Sequence, residues 1–78
     1  MTNIEKYNEA FTTVLGVEES ALDTLEYQGI AEWDSVGHMQ LIAALEEAFE
    51  IMFETDDIID FASYVIGKDI LKKYDIEL

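Results

Sequence analysis

The chain has 78 residues, room for one small domain close to the size below which a single core needs staples. Eighteen acidic residues against four basic ones give a formal net charge of -14, which repels nucleic acid and anionic membrane surfaces and calls for basic partners. Cysteine is absent, so disulfides, thiolate metal sites and an intrinsic thiol able to hold a thioester are excluded.

Half of the residues are hydrophobic and 12% are aromatic, a composition that folds, although self-repulsion leaves its stability marginal. No apolar run approaches the roughly 20 residues that cross a bilayer. The N-terminal TNIEKYNE lacks the basic end and apolar stretch of a signal peptide. The expectation is a soluble, cytoplasmic, monomeric single domain over residues 1–78.

Thr2 followed by Glu5 forms a capping-box pattern, and Ile4, Tyr7, Phe11 and Val14 recur at helical spacing until Gly16 offers a left-handed stop. This predicts a first helix over about residues 3–15. From Val17 to Trp33 the period is lost, and Leu22, Leu25, Tyr27, Ile30 and Trp33 are expected to pin a long connection onto the core. A second helix follows over about residues 35–50, with Val36, Met39, Ile42, Leu45 and Phe49 as its apolar stripe and Gln40, Glu46, Glu47 and Glu50 off it. Gly37 there costs about 1 kcal/mol against alanine.

Thr55 reads as the cap of a short helix with Asp56 and Asp57 in its first turn and Ile58 and Phe61 turned inward. Ser63 reads as the cap of a last helix on which Ile66, Ile70 and Tyr74 share a face. Lys68, Lys72 and Lys73 suit the negative end of that helix, whereas Gly67 weakens it. The predicted fold is all-α: a small four-helix bundle of three longer helices and one short one, with a long first loop.

Catalytic constellations are missing. The one histidine, His38, lies three residues from Ser35 on the same helix, which orients nothing in the manner of a nucleophile–base–acid triad. Four scattered glycines match no phosphate cradle, and the acidic pairs Glu46/Glu47 and Asp56/Asp57 lack the spacing of a calcium loop. Those pairs read as solvated faces, His38 as a first-turn surface residue and Trp33 as a core plug. No catalytic residue and no metal site is predicted, and the chain does not read as an enzyme.

There remains WDSVGHMQLIAALEEAFEI, residues 33–51. Ser35 opens a strongly patterned helix directly after Asp34, itself a good capping residue. If Asp34 caps, the Ser35 hydroxyl is left over, and a phosphodiester built on it would lie at the positive helix end, favoured by roughly 0.3–1 kcal/mol. The residues by themselves leave the plainer reading open as well, in which Ser35 is simply the N-cap.

The run DSVGHMQLIAALEEAFEI resembles the modification-site helix of acyl and peptidyl carrier proteins, with its Asp-Ser start and LEEEF-type ending. TDDIIDF, SYVIGKDILKKY and the acidic, short chain resemble the rest of that family, so the likeness spans nearly the whole sequence. Val36 stands where leucine is usual, Gly37 and His38 replace polar residues, and the usual proline is missing from IMFETDD. These departures point to a stand-alone carrier of a specialised pathway.

The resemblance implies that Ser35 carries a 4′-phosphopantetheine arm, transferred from coenzyme A by a phosphopantetheinyl transferase, with Asp34 serving transferase recognition by helping to hold its magnesium ion. The arm would hold an acyl or aminoacyl thioester, loaded by a ligase or acyltransferase and presented to biosynthetic enzymes with basic docking surfaces. Tethering raises the effective concentration of the cargo, so weak, fast contacts suffice. The expected docking edge is Val36, Gln40, Ala43, Glu46 and Glu47. The alternative expectation is an acidic, non-enzymatic helical adaptor for basic partners, which would need no modified serine; an acidic cation-binding protein is a weaker one.

Overall fold

A computed structural model describes residues 2–78. Among these residues four α-helices and one 3₁₀ helix follow in the order α1 (Asn3–Leu15), the 3₁₀ helix Glu19–Thr24, α2 (Ser35–Phe49), α3 (Thr55–Asp60) and α4 (Tyr64–Lys72). No strand occurs among the described residues beyond an isolated antiparallel bridge between Glu26 and Ser63, so the all-α expectation holds.

The capping box starts α1: Thr2 Oγ1 accepts the Glu5 N–H at 3.3 Å, and Glu5 Oε1 accepts the Thr2 N–H at 3.0 Å. Gly16 ends the helix in the left-handed region, its N–H donating to the Thr12 carbonyl. Tyr7, Ala10, Phe11 and Leu15 are buried, with Ile4 and Val14 half-buried on the flanks.

The aperiodic connection is more structured than its sequence suggested. The 3₁₀ helix, whose three-residue turn matches neither of the two common periods, buries Leu22. Leu25 to Tyr27 then runs antiparallel to Ala62 to Tyr64: the Tyr27 N–H donates to the Ala62 carbonyl at 2.9 Å and the Tyr64 N–H to the Leu25 carbonyl at 3.0 Å. Gln28 takes a positive φ of 64° and donates its N–H to the Trp33 carbonyl at 2.9 Å, closing the turn that leads into α2. Of the five expected pins, Leu22, Leu25 and Trp33 are buried, while Tyr27 and Ile30 are half-buried against the core.

In α2 the buried face differs from the expected stripe. Gly37, Leu41, Ile42 and Leu45 face inward, Phe49 is half-buried, and Val36 and Met39 stand 65% and 53% exposed. Gly37 permits this rotation, because a Cβ there would overlap the Glu32 carbonyl oxygen. The helix turns position 37 against the incoming chain, and Val36 and Met39 swing out.

Two further corrections concern α3. Thr55 is its first helical residue and Glu54 the N-cap, with no side-chain capping bond. Asp57, expected on a solvated face, is only 2% exposed and accepts hydrogen bonds from Lys73 Nζ and the Tyr74 hydroxyl, each at 2.5 Å. Lys73 is therefore held by a carboxylate from α3 and does more than complement the end of α4.

Ser63 caps α4 as predicted, its Oγ accepting the Ile66 N–H at 3.0 Å. On α4 the inward residues are Tyr64, Gly67, Ile70 and Leu71, whereas Ile66 is 42% exposed. Gly67 is a requirement of packing: a Cβ would collide with the Tyr7 hydroxyl and the Phe61 ring.

The core is aromatic at its centre. Phe11 meets Tyr7, Trp33, Phe61 and Tyr64 at centroid distances of 4.9 to 6.2 Å, mostly edge to face. The buried Tyr7 hydroxyl donates to the Tyr64 carbonyl, and desolvation pushes its ionisation far above the usual tyrosine range.

Candidate functional site

Ser35 stands at the mouth of α2, where the turn from Gln28 to Trp33 delivers the chain. The N-cap is Asp34, whose Oδ1 accepts the Gly37 N–H at 2.8 Å. Ser35 is thus the first helical residue, and the reading of it as a mere cap is corrected. Its side chain is exposed, and Oγ lies 3.3 Å from the Tyr27 hydroxyl. Asp34 as a residue is exposed, and its capping bond uses Oδ1 alone.

Behind Ser35, His38 bolts three elements together. Its Nδ1 accepts the indole N–H of the fully buried Trp33 at 3.0 Å, which leaves Nε2 as the donor to the Ile58 carbonyl at 2.8 Å. The imidazole stacks on Trp33 at 6.2 Å and meets Tyr27 and Phe61 edge-on. The expectation of a surface histidine is overturned. The available signal was Trp33 itself, since a buried indole N–H needs an acceptor and His38 lies within reach of it.

A groove of about 350 Å³ opens beside Ser35. Tyr27, Ser35 and His38 form its polar side, and Met39, Ile58, Ile59, Phe61 and Ala62 its apolar side. Ile59, 72% exposed, stands with Val36 and Met39 as exposed apolar surface around the serine. A second cavity, of about 310 Å³ between α1 and α2, includes Lys6, Ala10, Ala44 and Ala48 in its lining and shares no residue with the first.

Along the expected docking edge Val36, Gln40, Ala43 and Glu47 are exposed. Glu46 is not a free surface acid: its Oε2 accepts the Phe53 N–H at 2.9 Å and ties the end of α2 to the segment after it. Among the described residues no group of three or more His, Cys, Asp or Glu side chains is placed to hold a metal ion, and no helix is long and apolar enough to cross a membrane. Comparison with protein-family models, with curated proteins and with solved structures returned no match.

Proposed function

We propose that this chain is a carrier protein that bears a 4′-phosphopantetheine arm on Ser35 and has no catalysis of its own. The observation that carries the reading is the division of labour at the start of α2: Asp34 supplies the cap, so the Ser35 hydroxyl is exposed and not needed to cap the helix. The donor set fits a phosphate ester, because the first N–H groups of a 15-residue helix and its positive end favour an anion at that position. Ser35 Oγ would attack the pantetheine-bearing phosphate of coenzyme A, displacing adenosine 3′,5′-bisphosphate and losing its proton to a base of the transferase. The exposed Asp34 would help hold the transferase's magnesium ion. When bound, the arm would supply a terminal thiol that holds an acyl or aminoacyl group as a thioester.

Within this reading the helices form the four-helix bundle of carrier proteins, and the exposed Val36, Gln40, Ala43 and Glu47 meet partners with basic surfaces. Those partners are the transferase, a loading ligase or acyltransferase, and the enzymes that consume the cargo. Incubation with coenzyme A and a broad-specificity phosphopantetheinyl transferase, followed by intact mass measurement, tests it. Wild type should gain one phosphopantetheinyl group and Ser35→Ala none. Modification of Ser20 or of Ser63, whose Oγ already caps α4, would overturn the assignment. An acidic adaptor, by contrast, would bind its partner equally well with Ser35→Ala.

A further inference from the structure

We propose that Tyr27 is the positioning residue for the phosphate ester on Ser35, an inference that rests on the carrier reading. The side chain is held on several sides before any ester is present. Its backbone N–H donates to the Ala62 carbonyl at 2.9 Å, and its ring lies edge-on to Trp33 at 6.3 Å and to His38 at 5.2 Å. These contacts deliver the phenolic hydroxyl to 3.3 Å from Ser35 Oγ. That is a long hydrogen bond, beyond the roughly 2.7–2.8 Å of a tight O–H···O bond, in which either hydroxyl can be the donor.

Esterification removes the hydrogen from Ser35 Oγ and leaves Tyr27 as the only donor of the pair. It also puts anionic oxygens beside that donor, the charge-assisted case in which O–H···O⁻ bonds are short and strong. Elimination supports the assignment. Among the described residues lining the groove there is no lysine or arginine, and both ring nitrogens of His38 are already engaged by Trp33 and Ile58. The Tyr27 hydroxyl is then the side-chain donor left to meet the ester, with the helix start on its other side.

The test is Tyr27→Phe, which keeps the ring and its packing and deletes only the hydroxyl. With coenzyme A and the same transferase, kcat for arm transfer should fall about three- to tenfold at unchanged KM, the scale of one hydrogen bond. A purely structural role would not move a second readout, the ³¹P resonance of the modified protein. In wild type it should be displaced from that of the urea-unfolded modified protein, and in Tyr27→Phe most of that displacement should vanish while circular dichroism is unchanged. Identical ³¹P resonances and transfer rates for the two proteins would overturn the role of Tyr27 alone. A wild type that takes no arm would overturn the carrier reading and this inference together.

Discussion

Asp57 shows how much one side chain can decide. It is 2% exposed on a short helix of six residues, and its carboxylate gathers Lys73 and Tyr74 from the far end of the chain. The hydrogen bond from Lys73, then that from Tyr74, holds the Asp57 carboxyl below the ordinary aspartate value of 3.8. A depressed folded value means that the contribution to stability is present above about pH 4 and is lost as pH falls through the folded value. Urea unfolding of wild type and Asp57→Asn should therefore differ at pH 7 and pH 5, with the variant less stable, and converge toward pH 2. A gap that persists undiminished at pH 2 would show that packing, and not the charge, is what the substitution removes. His38 works on the same scale by neutral hydrogen bonds, satisfying a buried indole that would otherwise be an orphan donor.

At the scale of elements, α2 serves the core and the site with different faces. Gly37, Leu41 and Leu45 go inward at intervals of four, while Ser35 and Met39 line the groove with the α3 residues Ile58 and Ile59, and Val36 stays exposed. Its acidic end has a divided role, since Glu46 ties down Phe53 and Glu47 is free. Glu46→Gln with Glu47→Gln removes two charges and retains an acceptor for the Phe53 N–H, so stability should change by less than about 0.5 kcal/mol. If the proposed carrier function is right, arm transfer or loading should nevertheless be several-fold slower at low salt, and the gap from wild type should close as salt rises, because rim charges act on association rate. Wild-type rates for this double variant at low ionic strength would exclude α2's acidic end from the docking surface proposed above.

For the whole molecule, the charge excess works against the fold. Four basic residues face eighteen acidic ones, and two of the four are engaged as Lys72 with Asp69 and Lys73 with Asp57. The remaining carboxylates repel one another across a body whose Cα radius of gyration is 11.2 Å, close to the screening length at ordinary ionic strength. Adding sodium chloride or magnesium chloride should raise the melting temperature, with magnesium acting at lower concentration. A melting temperature flat across ionic strength would show the acids too dispersed to matter. The aromatic centre built on Tyr7, Phe11, Trp33, Phe61 and Tyr64 is the opposing force.

Local chemistry made the helices legible in the sequence. Thr2 with Glu5, Gly16 and Ser63 act through neighbours three or four residues away, so their capping and stopping could be read without knowing the fold. The sequence left open whether Asp34 or Ser35 caps α2, and the structure settles it, Asp34 Oδ1 accepting the Gly37 N–H. What the sequence could not fix were the features that depend on distant segments. The rotation of α2 is permitted by Gly37 lying against the Glu32 carbonyl, and α2 is apolar on more than one side, so periodicity selected a face that is only partly the buried one. The need for Gly67 comes from Tyr7 and Phe61, the burial of Asp57 from Lys73 and Tyr74, and the groove beside Ser35 from α3 folding back onto α2. The sequence by itself determined the start and stop of α1 and the cap of α4, and placed a helix start near Ser35, but it missed the 3₁₀ helix and took Thr55 for a cap. Only the tertiary structure decided which faces are buried, that Tyr27 stands over that serine, and that His38 bolts α2 to α3, because those outcomes are settled by contacts between residues far apart along the chain.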